Sequence, residues 1–213
     1  SGFGLAPVKA EGSSISYDSH TQGATTRFTH VVYGLGFMTT EEEEEDNQYE
    51  KLARSRTTSL AFSMATGKET VHALILDRAA NSSYVGGDGV ELLSTAHPTV
   101  SGTQSNELAT AADFSEAALE DCLVQIGQAK NTRNLPIALI AQKLIIPVNL
   151  MFQAERVLKS NLRSDSAEND INAVKSMGML PGGIVVNHYL TDTDQWLIKT
   201  NAPNGLTHFK RRA

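Results

Sequence analysis

The stretch GVELLSTAHPTVSGTQSN, residues 89–106, carries Ser94, His97 and Ser101 within eight positions. A serine oxygen beside an imidazole is the raw material of acyl transfer, provided that a carboxylate orients the ring and backbone N–H groups receive the oxyanion. Here no strand–turn–helix elbow of the G-x-S-x-G kind surrounds either serine, and nothing marks an oxyanion hole. The plainer reading is a turn-rich segment whose hydroxyls bond to the backbone, with His97 packing beside Pro98. An α/β hydrolase-type enzyme using the 89–106 loop is therefore the alternative, and the leading expectation is no catalytic residue at all.

Other chemistry-bearing residues give no stronger pattern. His20, His30, His72, His97, His188 and His208 are not spaced as metal ligands, and Cys122 is the sole cysteine. No metal site and no cofactor are expected. The GGDG at 86–89 lacks the Lys-Ser/Thr ending of a phosphate loop and reads as a turn around Asp88. The run EEEEED, Glu41–Asp46, fans around a helix axis instead of converging on one ion. The basic FKRR, Phe209–Arg212, offers a weak nucleic-acid reading in a chain whose net charge is −6.

The elements that must carry these residues follow from pattern. With 213 residues, 40% apolar and 20% charged, the composition is globular. A lone cysteine leaves stability to packing or assembly and fits a reducing compartment. No run reaches membrane-spanning length and the first residues lack a leader pattern, so a soluble chain is expected.

Residues 1–38 predict β structure: a hairpin turning at Glu11–Ser14, then a strand through Phe28, Val31, Val32, Tyr33 and Phe37. Leu5, Val8, Ile15 and Tyr17 are too few to close a core. These four are the candidate contacts with other subunits. Thr39 or Thr40 caps a long helix over about 40–80, with an apolar stripe of Tyr49, Leu52, Ala53, Leu60, Met64, Val71, Leu74 and Ile75 and a break near Gly67.

Residues 81–112 predict an exposed loop with at most a short strand at VELLS. Residues 113–200 predict an α/β unit. A helix starts with Asp113 and Glu116 at capping-box spacing; LPIALIA reads as a buried strand. KLIIPV reads as a strand turning at Pro147 into a helix, and GGIVVNHYL and QWLIKT as further strands. Elements that reach outward without cores of their own point to a protein completed by its neighbours.

Several ordered segments resemble the major capsid proteins of tailed phages, in particular the Mu-like major head subunits. They are YGLGFMTTEEEEEDNQYEKLARS, DGVELLSTAHP, FSEAALEDCLVQI, KLIIPVNLMFQAERVLKS, NDINAV and HYLTDTDQWLIKT, covering most of residues 31–200. The resemblance implies an α+β capsid fold. Its parts would be an extended β-hairpin loop at 1–30, a peripheral domain at 31–104 with a spine helix, an axial domain at 105–200, and a return to the peripheral domain at 201–213. NDINAV and HYLTDTDQWLIKT would be closing strands.

The resemblance further implies a virion protein assembled in the host cytoplasm. It would self-assemble as pentamers and hexamers into an icosahedral shell around double-stranded DNA. Its partners would be its own copies, the packaged DNA held non-specifically, and scaffold, decoration and portal proteins, with no membrane. Such proteins carry an N-terminal arm ahead of the extended loop and a further strand-forming segment behind, so a longer polypeptide is expected.

Overall fold

A computed structural model describes residues 2–20, 22–46, 49–163, 170–203 and 205–210. The apolar core is built around β3 (Ala141–Ile146), where Leu144 and Ile146 have no exposure. Burial alternates from Leu144 to Ile146, as the two-residue repeat of side-chain direction requires, whereas the register shifts between Ala141 and Lys143. β3 is the middle strand of three. β4 (Ile184–Val186) pairs with it in parallel, Leu144 opposite Ile184, and β5 (Leu197–Thr200) pairs antiparallel, Ile145 opposite Leu197.

The Gly182-Gly183 pair leading into β4 is needed for two separate reasons. A Cβ on Gly182 would stand 2.8 Å from the Gln142 carbonyl oxygen, and Gly183 takes φ of 65°. α3 (Glu116–Gly127) adds Leu119 and Leu123 to the core around this sheet, and α4 (Met151–Lys159) adds Ala154 and Val157. Phe114 meets Trp196 edge to face at 5.6 Å, and the Trp196 indole donates to the Ala112 carbonyl at 3.0 Å. Pro147 stands just before the short 3₁₀ turn that opens α4.

Asn172 is 1% exposed and joins two helices. Its Nδ2 donates to the Val157 carbonyl in α4, and its Oδ1 accepts the Lys175 N–H at the start of α5 (Ala173–Ser176). The closing strand expected at NDINAV is accordingly replaced by a bridge from Ile171 to Leu162 and this capped turn of helix. Asn169 of that segment lies outside the described residues.

The long helix is present. α1 (Glu41–Glu45) is capped by Thr40, and α2 (Tyr49–Asp77) follows. Arg56 donates two hydrogen bonds to Glu43, 13 residues earlier. In one straight helix those residues would be about 20 Å apart. α1 therefore folds back along α2, and the division falls between these two helices rather than near Gly67. Gly67 has open space around it, and its cost of about 1 kcal/mol is small against the bonds of a 29-residue helix. Along the stripe Leu52, Ala53, Leu60, Val71 and Leu74 are half-buried, whereas Met64 and Ile75 are exposed; the side chain of Tyr49 lies outside the described residues.

Three other expectations are corrected. Helix α3 is capped by Ser115, whose hydroxyl accepts the Ala118 N–H at 3.1 Å, so Asp113 is two residues too early. LPIALIA is not a buried strand: Ile137 is 42% and Ile140 59% exposed, and the ladder begins only at Ala141. The loop at 81–112 contains a small antiparallel hairpin, β1 (His97–Thr99) with β2 (Gly102–Gln104), in place of a strand at VELLS.

The largest difference is at the start of the chain. Among the described residues of 2–40 no strand ladder forms, so the β-hairpin expected there is not made within the chain. The segment does double back. Ser13 N–H donates to the Ala10 carbonyl, Gly12 takes φ of 77°, Phe3 meets His20 edge to face, and Gly4 N–H donates to Asp18 at 2.8 Å. Yet every described residue in it is exposed. The total accessible surface is 15749 Å², about 1.6 times that of a compact monomer of 23.0 kDa.

Replacing Asn172 with Ala removes a cap and strands the Val157 carbonyl in the interior. A loss of ~1–3 kcal/mol in urea unfolding is expected. Asn172→Asp keeps the cap oxygen but sets a buried carboxylate oxygen against the Val157 carbonyl, and should cost at least as much as the alanine.

Candidate functional site

Residues 86–106 form a tied passage between the end of α2 and the α/β unit. Gly86 N–H donates to the Val90 carbonyl at 2.6 Å and Gly89 takes φ of 88°, closing the expected turn around Asp88. The Asp88 carboxylate lies 2.7 Å from His97 Nδ1. That hydrogen bond is the main reason its carboxyl is held below the ordinary aspartate value. Ser94 is 4% exposed and held by Asn106: Oδ1 of Asn106 accepts the Ser94 N–H at 2.8 Å, Nδ2 donates to the Leu92 carbonyl at 2.8 Å, and its N–H donates to the Ser94 carbonyl at 3.1 Å. Leu93 N–H donates to the Ala79 carbonyl, fastening this segment to the end of α2.

An acid-oriented imidazole thus exists, but the bonds of Ser94 and Ser101 run to the backbone and not to it. Ser94 Oγ accepts the Ala96 N–H at 3.3 Å, and Ser101 Oγ donates to the Thr132 carbonyl at 3.1 Å. His97 Nε2, the atom that would take a proton, is enclosed and has no partner. The pair instead pins the turn at 86–90 to β1.

Leu5, Val8, Ile15 and Tyr17 are brought into no pocket; they are 82%, 100%, 66% and 94% exposed on the two arms of the doubled-back segment. Farther on, Phe28, Val31, Val32 and Tyr33 are each more than half exposed. The base of this excursion is gripped by Arg133, which donates to the Ser19 carbonyl at 2.6 Å and stands 3.7 Å from Asp18. The Gly4 N–H, with the Ser19 N–H and Arg133, keeps the Asp18 carboxyl below its ordinary value. Phe28 packs on Phe209 and His72 on His208, tying 205–210 back to α2 and the N-terminal segment. Arg211 and Arg212 of the basic FKRR lie outside the described residues.

Asp88, Asn106 and Arg133 are the working residues that the sequence did not single out. Each acts on a partner 9 to 115 positions away, and only Asp88, already marked as a turn, had a visible signal.

A cleft of about 800 Å³ opens between the end of α2, residues 105–113, α3 and β5, with Leu93, Leu108, Ile126 and Trp196 in its apolar lining. Cys122 also lines it, but burial pushes its thiol up to about 11, far from a reactive thiolate at neutral pH. Among the described residues no group of three or more His, Cys, Asp or Glu stands together to hold a metal ion, and no helix is long and apolar enough to cross a membrane.

The family model for phage capsid protein matches residues 23–212. The chain belongs to the phage capsid protein family, a structural family of the virion whose members associate into a shell. Neither curated proteins nor solved structures gave a match.

Two outcomes check this account of the passage. Ser94→Ala should cost ~0.5–1.5 kcal/mol and Asn106→Ala ~1–3 kcal/mol in chemical denaturation, because the second leaves the Ser94 N–H and Leu92 carbonyl unpaired. With its folded value depressed, Asp88 binds more protons in the unfolded chain. Its contribution is complete above the ordinary value of 3.8 and is lost as the pH falls through the lowered one. The stability difference between wild type and Asp88→Asn should thus be flat above about pH 5 and shrink below about pH 4.

Proposed function

We propose that this chain is a major head subunit of the Mu-like kind, assembling as pentamers and hexamers into an icosahedral shell around double-stranded DNA. Family membership supports the shell. The observation that carries the reading is the apolar surface on residues 2–40, from Val8 at 100% to Val32 at 89% exposed, which the described residues leave largely uncovered. Exposed apolar side chains in such numbers mark an interface. The doubled-back segment is the extended loop, given to a neighbouring copy on which Leu5, Val8, Ile15 and Tyr17 pack. α2 is the spine of the peripheral domain, and the unit around β3 is the axial domain.

The net charge of −6 suits a wall that confines DNA without gripping it. Scaffold, decoration and portal proteins belong to the same reading as further partners, and assembly would take place in the host cytoplasm.

Electron microscopy of the purified chain should show rings or closed shells. Val8→Asp with Tyr17→Ser should leave the circular dichroism spectrum and the thermal midpoint of the core at wild type. The assembled fraction should fall by at least about tenfold, the equivalent of losing ~1.4 kcal/mol per contact. A small monodisperse wild-type particle at all concentrations would sink the reading.

A further inference from the structure

The cleft carries Asp77, Glu107, Asp113, Asp192 and Asp194, and among the described residues no Lys, Arg or His lines it. Its acids crowd one another. A hydrogen bond with Asp192, then repulsion from Asp192 and Asp113, holds the Asp194 carboxyl above its ordinary value. Lys199 stands on β5 itself but outside the lining of the cleft, while Trp196 offers an apolar surface between the acids.

A surface of opposite character lies at the other end of the sheet. The strand order is β4-β3-β5; the cleft borders β5, whereas α4 packs on β4 and α5. On α4, Phe152, Glu155, Arg156 and Lys159 are spaced three and four apart and share one exposed face, with Phe152 66% exposed. Glu155 pairs with Lys159, and Lys175 of α5 donates to the Lys159 carbonyl, so the face is net positive with an aromatic knob.

We propose that the acidic cleft at the β5 edge of one copy receives the Phe152–Arg156–Lys159 face of α4 from a second copy, head to tail. The inference rests on the shell reading and names the surfaces it uses. The two patches sit on opposite edges of one sheet and cannot meet within a chain. Two different complementary surfaces on the same subunit make a heterologous contact, which closes into a ring when repeated by rotation. The charges fix register and exclude like-to-like docking, and an aromatic side chain beside an Arg is the usual anchor of such contacts.

The test uses the full chain with Arg156→Glu, with Asp194→Lys, and with both. Both positions are exposed, so circular dichroism and thermal melting should match wild type. Where either variant melts early, Arg156→Ser or Asp194→Ser carries the same test with the same sign. Arg156→Glu sets a carboxylate against the acids of the cleft at every contact round the ring, and Asp194→Lys sets an ammonium opposite Arg156, so the assembled fraction by sedimentation should fall at least about tenfold for the first and measurably for the second. The double variant restores opposite charges and should regain assembly. Single variants that assemble like wild type, or a double variant that does not recover, overturn the pairing and leave the shell reading standing. A wild-type chain that never assembles overturns the shell reading and this contact with it.

Discussion

Leu144 and Ile146 on β3 take the apolar faces of α3 and α4, and everything else depends on how far that one core extends. It does not extend far. The buried apolar cluster runs from Phe114 to Val174, with Trp196 and Ile198 packed at its edge. Among the described residues none of 2–40 joins it, and α2 with the turn after it adds only Ala73 and Ala79 as buried apolar residues. The rest of the chain is attached by polar contacts at a few points. Asp77 accepts from Thr191, Gln195 donates to the Leu76 carbonyl, Asn106 holds the 92–94 segment, and Arg133 holds Ser19. Polar contacts of this kind fix direction and leave apolar surface uncovered, each adding a net of only about 1 kcal/mol.

That constraint explains which parts of the sequence could be read. α3, β3, α4, β4 and β5 belong to the core, where burial imposes a period, and the sequence showed them. Outside the core the same signals misled. Val31, Val32 and Tyr33 favour strands, but that preference is a preference for packing on a pleated surface, and here no partner strand is supplied. LPIALIA is apolar without being interior, since Ile137 and Ile140 face outward. The fold-back of α1 on α2 rests on Glu43 and Arg56, and the locking of the 86–90 turn rests on Asp88 and His97. Pairs of that kind are set by three-dimensional approach, and no local pattern announces them. The apparent catalytic stretch was legible only as far as its lack of an elbow; the enclosure of His97 Nε2 needed coordinates.

The surface left over accounts for function better than any pocket does. A shell subunit gains stability from its neighbours, so it can carry arms that bury nothing in isolation. Symmetric repetition then multiplies modest contacts into a closed particle. The excursion offers apolar side chains on an extended backbone, while the two edges of the three-stranded sheet differ in charge. These surfaces suit two kinds of contact, one by draping and one by docking edge to edge.

Hydrogen exchange on the same chain, isolated and assembled, tests the central claim most directly. In the isolated chain, amides of β3, α3 and α4 should be strongly protected and those of 2–40 should exchange at nearly the free rate. In assembled particles, protection should appear across 2–40 with little change in the core. Strong protection of 2–40 in the isolated chain, or none in the particle, would contradict the account.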